Sequence, residues 1–224
     1  MKDLKDLESR LGIYEENIDV IDMMNKKAKG VTFAENWTAD LGAADLKKHL
    51  GLKTSAEAKK KKKTGFLGGR RLQTSSALNI NWVEKQKVTP VKDQGECGSC
   101  WAFTATTVQE AMEAIQMDKA PVRLSEQEAV DCVKGESAGC NGGLMTDYWD
   151  YTKSGARAYV DYPEYNDKDN ACRTKTSDPI SSTTKTWGYV EVADMATQLQ
   201  KGPMSIAVNA SGKCFQFYST GILT

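Results

Sequence analysis

Residues Gln94–Phe103 read QGECGSCWAF, and the reading of the whole chain turns on them. The stretch before Cys100 is polar and glycine-containing, as a loop is. Trp101, Phe103, Ala105, Val108, Met112 and Ile115 then supply the apolar positions of a buried helix. Cys100 therefore stands where loop becomes helix. A helix N-terminus presents unpaired N–H groups and about half a positive charge, and both favour a thiolate over a thiol. Cys100 is accordingly a candidate nucleophile. Gln94 lies upstream in the loop, where its side-chain amide can donate to a developing oxyanion beside the backbone N–H of Cys100.

The chain has 224 residues, enough for one or two domains, with equal numbers of acidic and basic side chains. A formal net charge of zero gives no reason to expect nucleic acid as a partner. The charges are unevenly spread: 16 basic and 11 acidic residues up to Gln73, then 14 and 19. No apolar run approaches the roughly 18 residues of a membrane span. The first residues form a charged helical pattern, unlike the basic-then-apolar start of a secretory signal.

All six cysteines, Cys97, Cys100, Cys132, Cys140, Cys172 and Cys214, lie in the rear of the chain, widely spaced as disulfides in an oxidising compartment are. Together with the absent signal, this leads to the expectation that the N-terminus is incomplete. CGSC also has the spacing of a redox pair, but a buried strand should precede such a site, and KDQGE precedes this one. A zinc site lacks a second close pair and a nearby histidine, so no metal and no cofactor are expected.

In the front segment, Leu4, Leu7, Leu11, Tyr14, Ile18 and Ile21 make one apolar stripe on a helix. A second short helix is expected over Ala43–Leu50, carrying His49 on a solvent-facing side. The run Lys59–Lys63 repels itself, and the glycines, arginines and hydroxyl residues to Ser76 read as an exposed, protease-sensitive linker. A rear domain begins near Leu78. Ser125 and Glu128 form a capping box, a further helix is expected over Leu144–Lys153, and the acidic loop Asp161–Asp169 reads as solvated. After about Ser181 the pattern turns to strands, with Trp187–Val192 and Ser205–Val208 the best candidates. A helix near Ala196–Lys201 stops at Gly202 and Pro203. Helices followed by strands give an α+β arrangement.

The segment around Cys100 resembles the active-site signature of the papain-like cysteine peptidases. VTPVKDQG (88–95), LSEQEAVDC (124–132), GCNGG (139–143) and KGPMSIAV (201–208) resemble further segments of that family. Asp6, Arg10, Tyr14, Asn17, Ile21 and Asn25 resemble the long-helix motif of its inhibitory prodomain, and Asn36–Asp40 a second, shorter motif, in the manner of the cathepsin L-like branch. The resemblance implies a papain-like two-lobe fold, a helical lobe with an incomplete β-barrel lobe, preceded by a helical prodomain. The divisions are 1–53 prodomain, 54–77 basic linker and processing region, and 78–224 peptidase domain. It implies Cys100 as nucleophile and Gln94 in the oxyanion hole. It also pairs Cys97 with Cys140 and Cys132 with Cys172, and leaves Cys214 over. It places Gly142 and Gly143 as backbone partners of an extended peptide, with Leu144, Met145 and Ala207 lining an apolar specificity pocket. Leu144 and Met145 also suit plain helix core.

A thiolate of this kind works with an imidazole. The sole histidine is His49, in the front segment. The family's histidine and asparagine lie about 130 to 150 residues past the cysteine, which is beyond Thr224. Two readings stay open. One is the zymogen of a thiol endopeptidase, truncated at its C-terminus and inactive in this form. It would be a monomer acting on polypeptides, with its own prodomain as intramolecular inhibitor, in a lysosome-like vacuole or secreted. The other is a non-catalytic binding protein or protease regulator working through the prodomain-like helices. Asn36-Trp-Thr38 and Asn209-Ala-Ser211 are glycosylation sequons.

Overall fold

A computed structural model describes residues 4–53, 80–175 and 180–223. The lysine run and the linker through Ser76 lie outside the described residues. The described chain is α+β and helix-rich, with one two-stranded antiparallel sheet among the described residues. It divides into two compact units that do not follow chain order: Met1–Leu50 with Ala207–Thr224, and Gly51–Ile206.

The first unit is built on helix α1, Leu4–Lys27. The side chains at 10, 14, 17, 21 and 25 recur at helical spacing on one face, and each has a partner. Arg10 pairs with Asp40, and the Tyr14 hydroxyl donates to Glu35 at 2.8 Å. Asn17 Nδ2 donates to the Ala39 carbonyl at 2.7 Å, and its Oδ1 accepts from Lys213 Nζ. Asn25 bonds both main-chain polar groups of Phe33, each at 2.9 Å. These bonds fix strand β1, Val31–Phe33, which pairs antiparallel with strand β2, Tyr218–Gly221. Ile21, Phe33, Ala39 and Phe217 form the small core. The apolar stripe is only half used: Ile21 is buried, whereas Leu4, Leu7 and Leu11 are exposed. Helix α2, Ala43–Lys48, is shorter than expected and ends on His49. That imidazole is half-buried rather than solvent-facing, edge-on to the Trp37 ring at 5.1 Å.

The second unit is built around helix α3, Cys100–Gln116. Trp101, Ala102 and Ala105 pack against Ala129, Val130 and Val133 and against Tyr148. These partners lie on helix α4, Glu126–Cys132, in the residue that follows it, and on helix α5, Met145–Tyr151. The apolar stripe read from sequence captures only part of the buried face. Phe103, Val108, Met112 and Ile115 are half-buried, while Gln109 and Glu110 are buried. Gln109 is satisfied by Thr152, Thr184 and Ser182. Glu110 takes bonds from Thr89, from Lys92 and from the N–H of Leu124. A buried polar group persists where its bonds are made.

The capping box forms by half. Ser125 Oγ accepts from the Glu128 N–H at 3.0 Å, but the Glu128 carboxylate does not return to Ser125. It takes the Arg157 guanidinium and backbone N–H, each at 2.8 Å, and the Tyr151 hydroxyl at 2.9 Å. A buried ionised side chain is worth more in such a charge-assisted set than in a local cap.

Two expected strands are absent among the described residues. Trp187–Val192 and Ser205–Val208 carry strand-like sequence but join no ladder, and residues Val192–Asp194 turn into a short 3-10 helix. Their apolar side chains are largely exposed, Val192 at 69% and Ile206 at 61%. Strand propensity reflects packing against cross-strand neighbours, and none is present here. Helix α6, Met195–Leu199, stops before Gly202 and Pro203 as expected. Helix α7, Lys213–Gln216, precedes β2 in the first unit. No described helix is long and apolar enough to cross a membrane.

Candidate active site

Cys100 is the first residue of α3 and a free, half-buried thiol. Cys97, three residues earlier, is bonded to Cys140, so CGSC does not close on itself and the redox reading fails. The second disulfide joins Cys132 to Cys172. Cys214 is free and exposed in the first unit. Among the described residues no cluster of His, Cys, Asp and Glu is arranged to hold a metal.

The loop before Cys100 is held from several sides. The Gln94 side chain donates from Nε2 to the Cys97 carbonyl at 2.8 Å. Gly98 N–H donates to the Cys140 carbonyl at 3.0 Å, which lays the 97–99 loop along the glycine turn 139–143. Trp101 Nε1 donates to the Gly139 carbonyl at 3.1 Å from beneath. Gly143 could not be any other residue: a β-carbon there would sit 2.6 Å from both the Trp101 ring and Ser137 Oγ. Ser137 is itself held by the Asp147 carboxylate and accepts from the Leu144 N–H at 3.0 Å.

The main chain of Gly143 is already engaged. Its N–H donates to the Gly51 carbonyl at 2.8 Å, and its carbonyl accepts from the Lys53 N–H at 3.0 Å. Leu52 pairs with Gly143 in a parallel bridge, and Lys53 Nζ reaches the Glu136 carbonyl at 2.7 Å. Residues 51–53 thus lie on the Gly143 backbone as an added strand, the mode in which an extended peptide is taken up. Gly142, at φ 95°, touches the Gly51 backbone: a β-carbon on it would meet the Gly51 carbonyl oxygen at 2.6 Å. Leu144 is buried, and Met145 is half-buried against the Trp101 cluster. Ala207 belongs to the first unit and is exposed.

The acidic loop is not simply solvated. Gln127 bonds the Lys168 carbonyl and the Asn166 N–H, and Asp131 takes the Tyr162 hydroxyl and the Asn170 N–H. So anchored, the loop reaches the site. Asp169 accepts from the Cys140 N–H at 2.8 Å, and Tyr165 donates to the Gln94 carbonyl at 2.7 Å. Tyr165 also lies 2.6 Å from Ser99 Oγ and stands edge-on to Phe103. Burial pushes its phenol up to about 12. Sequence reasoning missed Tyr165 because loop composition does not say what a loop packs against.

A free thiol at a helix start, beside a fixed amide and an edge already paired with peptide backbone, is a setting that favours a nucleophilic thiolate. Comparison with known proteins agrees. The pattern of the papain family cysteine proteases matches residues 77–224, and the chain belongs to that family. It is 34% identical over 221 residues to cysteine protease XCP2 of Arabidopsis thaliana, covering 95% of this chain and 61% of that protein. It is 33% identical over 227 residues to procathepsin L of Rattus norvegicus, covering 96% and 65%. A digestive procathepsin L2 proteinase from Tenebrio molitor larval midgut superposes with a TM-score of 0.83 at 25% identity, covering all of this chain and 75% of that one. The fold is therefore papain-like. The chain spans about three fifths of the length of the first two of the curated relatives it matches.

Proposed function

We propose that this chain belongs to the zymogen of a cysteine endopeptidase. Cys100 attacks a peptide carbonyl, the amine leaves, and water hydrolyses the resulting acyl-enzyme. Gln94 and the Cys100 N–H steady the oxyanion. Gly142 and Gly143 hold the substrate backbone, and Leu144 and Met145 favour an apolar side chain two residues before the cleaved bond. The observation that carries this reading is Cys100 free at the start of α3, with its neighbour Cys97 locked to Cys140.

The segment 51–53 acts as a built-in inhibitor by occupying the Gly143 edge. The 224 residues hold a single histidine, His49, and residues 51–206 hold none. We therefore propose that these residues alone bind but do not turn over substrate. A lysosome-like vacuole or secretion fits two disulfides, and a monomer is the working assembly.

The test is a fluorogenic peptide with leucine or phenylalanine at the second position, offered to protein purified from its source. Cleavage that stops when Cys100 alone is alkylated supports the reading. Native protein that neither cleaves nor labels at Cys100 sinks it and turns attention to a regulatory role. Ready turnover by the purified 224-residue chain would overturn the proposed inactivity.

A further inference from the structure

The structure assigns Tyr165 as a positioning residue for Cys100: its phenol ties the Ser99 hydroxyl to the Gln94 carbonyl and so keeps Ser99 from capping the helix that Cys100 begins. This rests on the reading of Cys100 as the nucleophile.

The direction of the relay follows from chemistry. The Gln94 carbonyl only accepts, so the single Tyr165 proton goes there, at 2.7 Å. The Ser99 hydroxyl, 2.6 Å from the phenol oxygen, must then be the donor to Tyr165. Ser99 occupies the N-cap position of α3 and is fully buried. A serine there ordinarily adopts an extended backbone and accepts from an N–H of the first turn. Ser99 does neither. Its φ and ψ are −100° and 12°, in the sparsely populated bridge region, and its side chain makes no cap bond.

That conformation sets the orientation of the peptide joining Ser99 to Cys100, whose N–H is the backbone oxyanion donor. Released from Tyr165, Ser99 gains a competing cap with the first-turn N–H groups that otherwise favour the thiolate. The anchoring of the loop makes Tyr165 a fixed post. Gln127 and Asp131 on α4 hold residues 166–170, and Asp169 holds Cys140. The ring keeps its edge-on contact with Phe103 at 4.8 Å whether or not it carries a hydroxyl, so Tyr165→Phe removes the relay and leaves the packing.

The experiment is alkylation of the 224-residue chain by iodoacetamide at neutral pH. Both free thiols are followed by mass spectrometry, and Cys214 in the other unit serves as the reference within each molecule. Tyr165→Phe is expected to slow Cys100 relative to Cys214 by about two- to fivefold, the range of a helix N-terminal interaction. Adding Ser99→Ala to Tyr165→Phe removes the competing cap and restores most of the rate. An unchanged Cys100 rate in Tyr165→Phe overturns the proposal. So does a double variant that is slower still, since that is what general loosening of the loop produces. Alkylation needs no turnover, so neither result depends on whether the chain is a peptidase.

Discussion

A β-carbon on Gly51 would lie 1.6 Å from the carbonyl oxygen of Gly98, so these two backbones meet where no side chain fits. Gly98 is itself pressed against the Cys140 carbonyl and cannot retreat. Gly51→Ala must therefore lift residues 51–53 and break both hydrogen bonds to Gly143. At about 1 kcal/mol each, their loss corresponds to roughly thirtyfold faster exchange of the Gly143 amide. Hydrogen exchange read by mass spectrometry tests this, and protection of Gly143 equal to wild type would show that 51–53 is not what covers it.

Lys92 is the shared partner of Glu110 and Glu126, two carboxylates on different helices that are both fully buried. Removing one member of a buried ionic set leaves uncompensated charge and costs about 3–5 kcal/mol. Lys92→Met is expected to destabilise the chain by that amount in urea unfolding followed by tryptophan fluorescence. Glu110 also receives Thr89 and the Leu124 N–H, so the loss spreads beyond one pair. A change below about 1 kcal/mol, the range of exposed pairs, would contradict the buried assignment.

What the sequence made legible follows from how local each signal is. The Cys100 helix start, the α1 register and the Ser125 cap depend on residues within a turn or two of one another, and each appears where expected. The disulfide partners are 43 and 40 residues apart. Spacing cannot choose among pairings at that distance, and only the family resemblance named them. Non-local polar bonds stayed hidden. Glu128 read as a box partner and instead holds Arg157. The 161–169 loop read as solvated because nothing in its composition shows that Gln127 and Asp131 await it. The strands near Trp187 and Ser205 failed for a related reason, since a strand is completed by its neighbour.

Asn36 and Asn209 carry the same sequon but differ as acceptors. Asn36 Nδ2 donates to the Gln216 carbonyl at 2.7 Å, its Oδ1 accepts from the Thr38 N–H and hydroxyl, and Thr38 is buried. Asn209 is exposed, and its Oδ1 accepts from the Ser211 N–H and hydroxyl. Asn36→Ala should cost about 3 kcal/mol, three lost hydrogen bonds at about 1 kcal/mol each, and Asn209→Ala within about 0.5 kcal/mol. In glycosylating cells, a glycan at Asn209 with none at Asn36 is the expected glycopeptide map. A folded chain glycosylated at Asn36 would refute the Asn36 bonding.

Alkaline titration probes the loop and its supports together. Of the eight tyrosines, burial pushes Tyr151, Tyr162 and Tyr165 up to about 12, and it raises Tyr148, which is fully buried, well above its ordinary value. Nearby Glu128 adds to the rise at Tyr151, and Asp131 to that at Tyr162. A folded value above the unfolded one, about 10, means that the protonated phenols stabilise the fold fully below pH 10. That contribution is lost as the pH rises from about 10 through 12. Absorbance at 295 nm should therefore show a late phenol ionisation near pH 12 from Tyr151, Tyr162 and Tyr165, together with loss of tertiary signal. Tyr165→Phe should remove one phenol from that late step. If the late step is unchanged in Tyr165→Phe, the phenol is solvated, and its bond to the Gln94 carbonyl is not formed in solution.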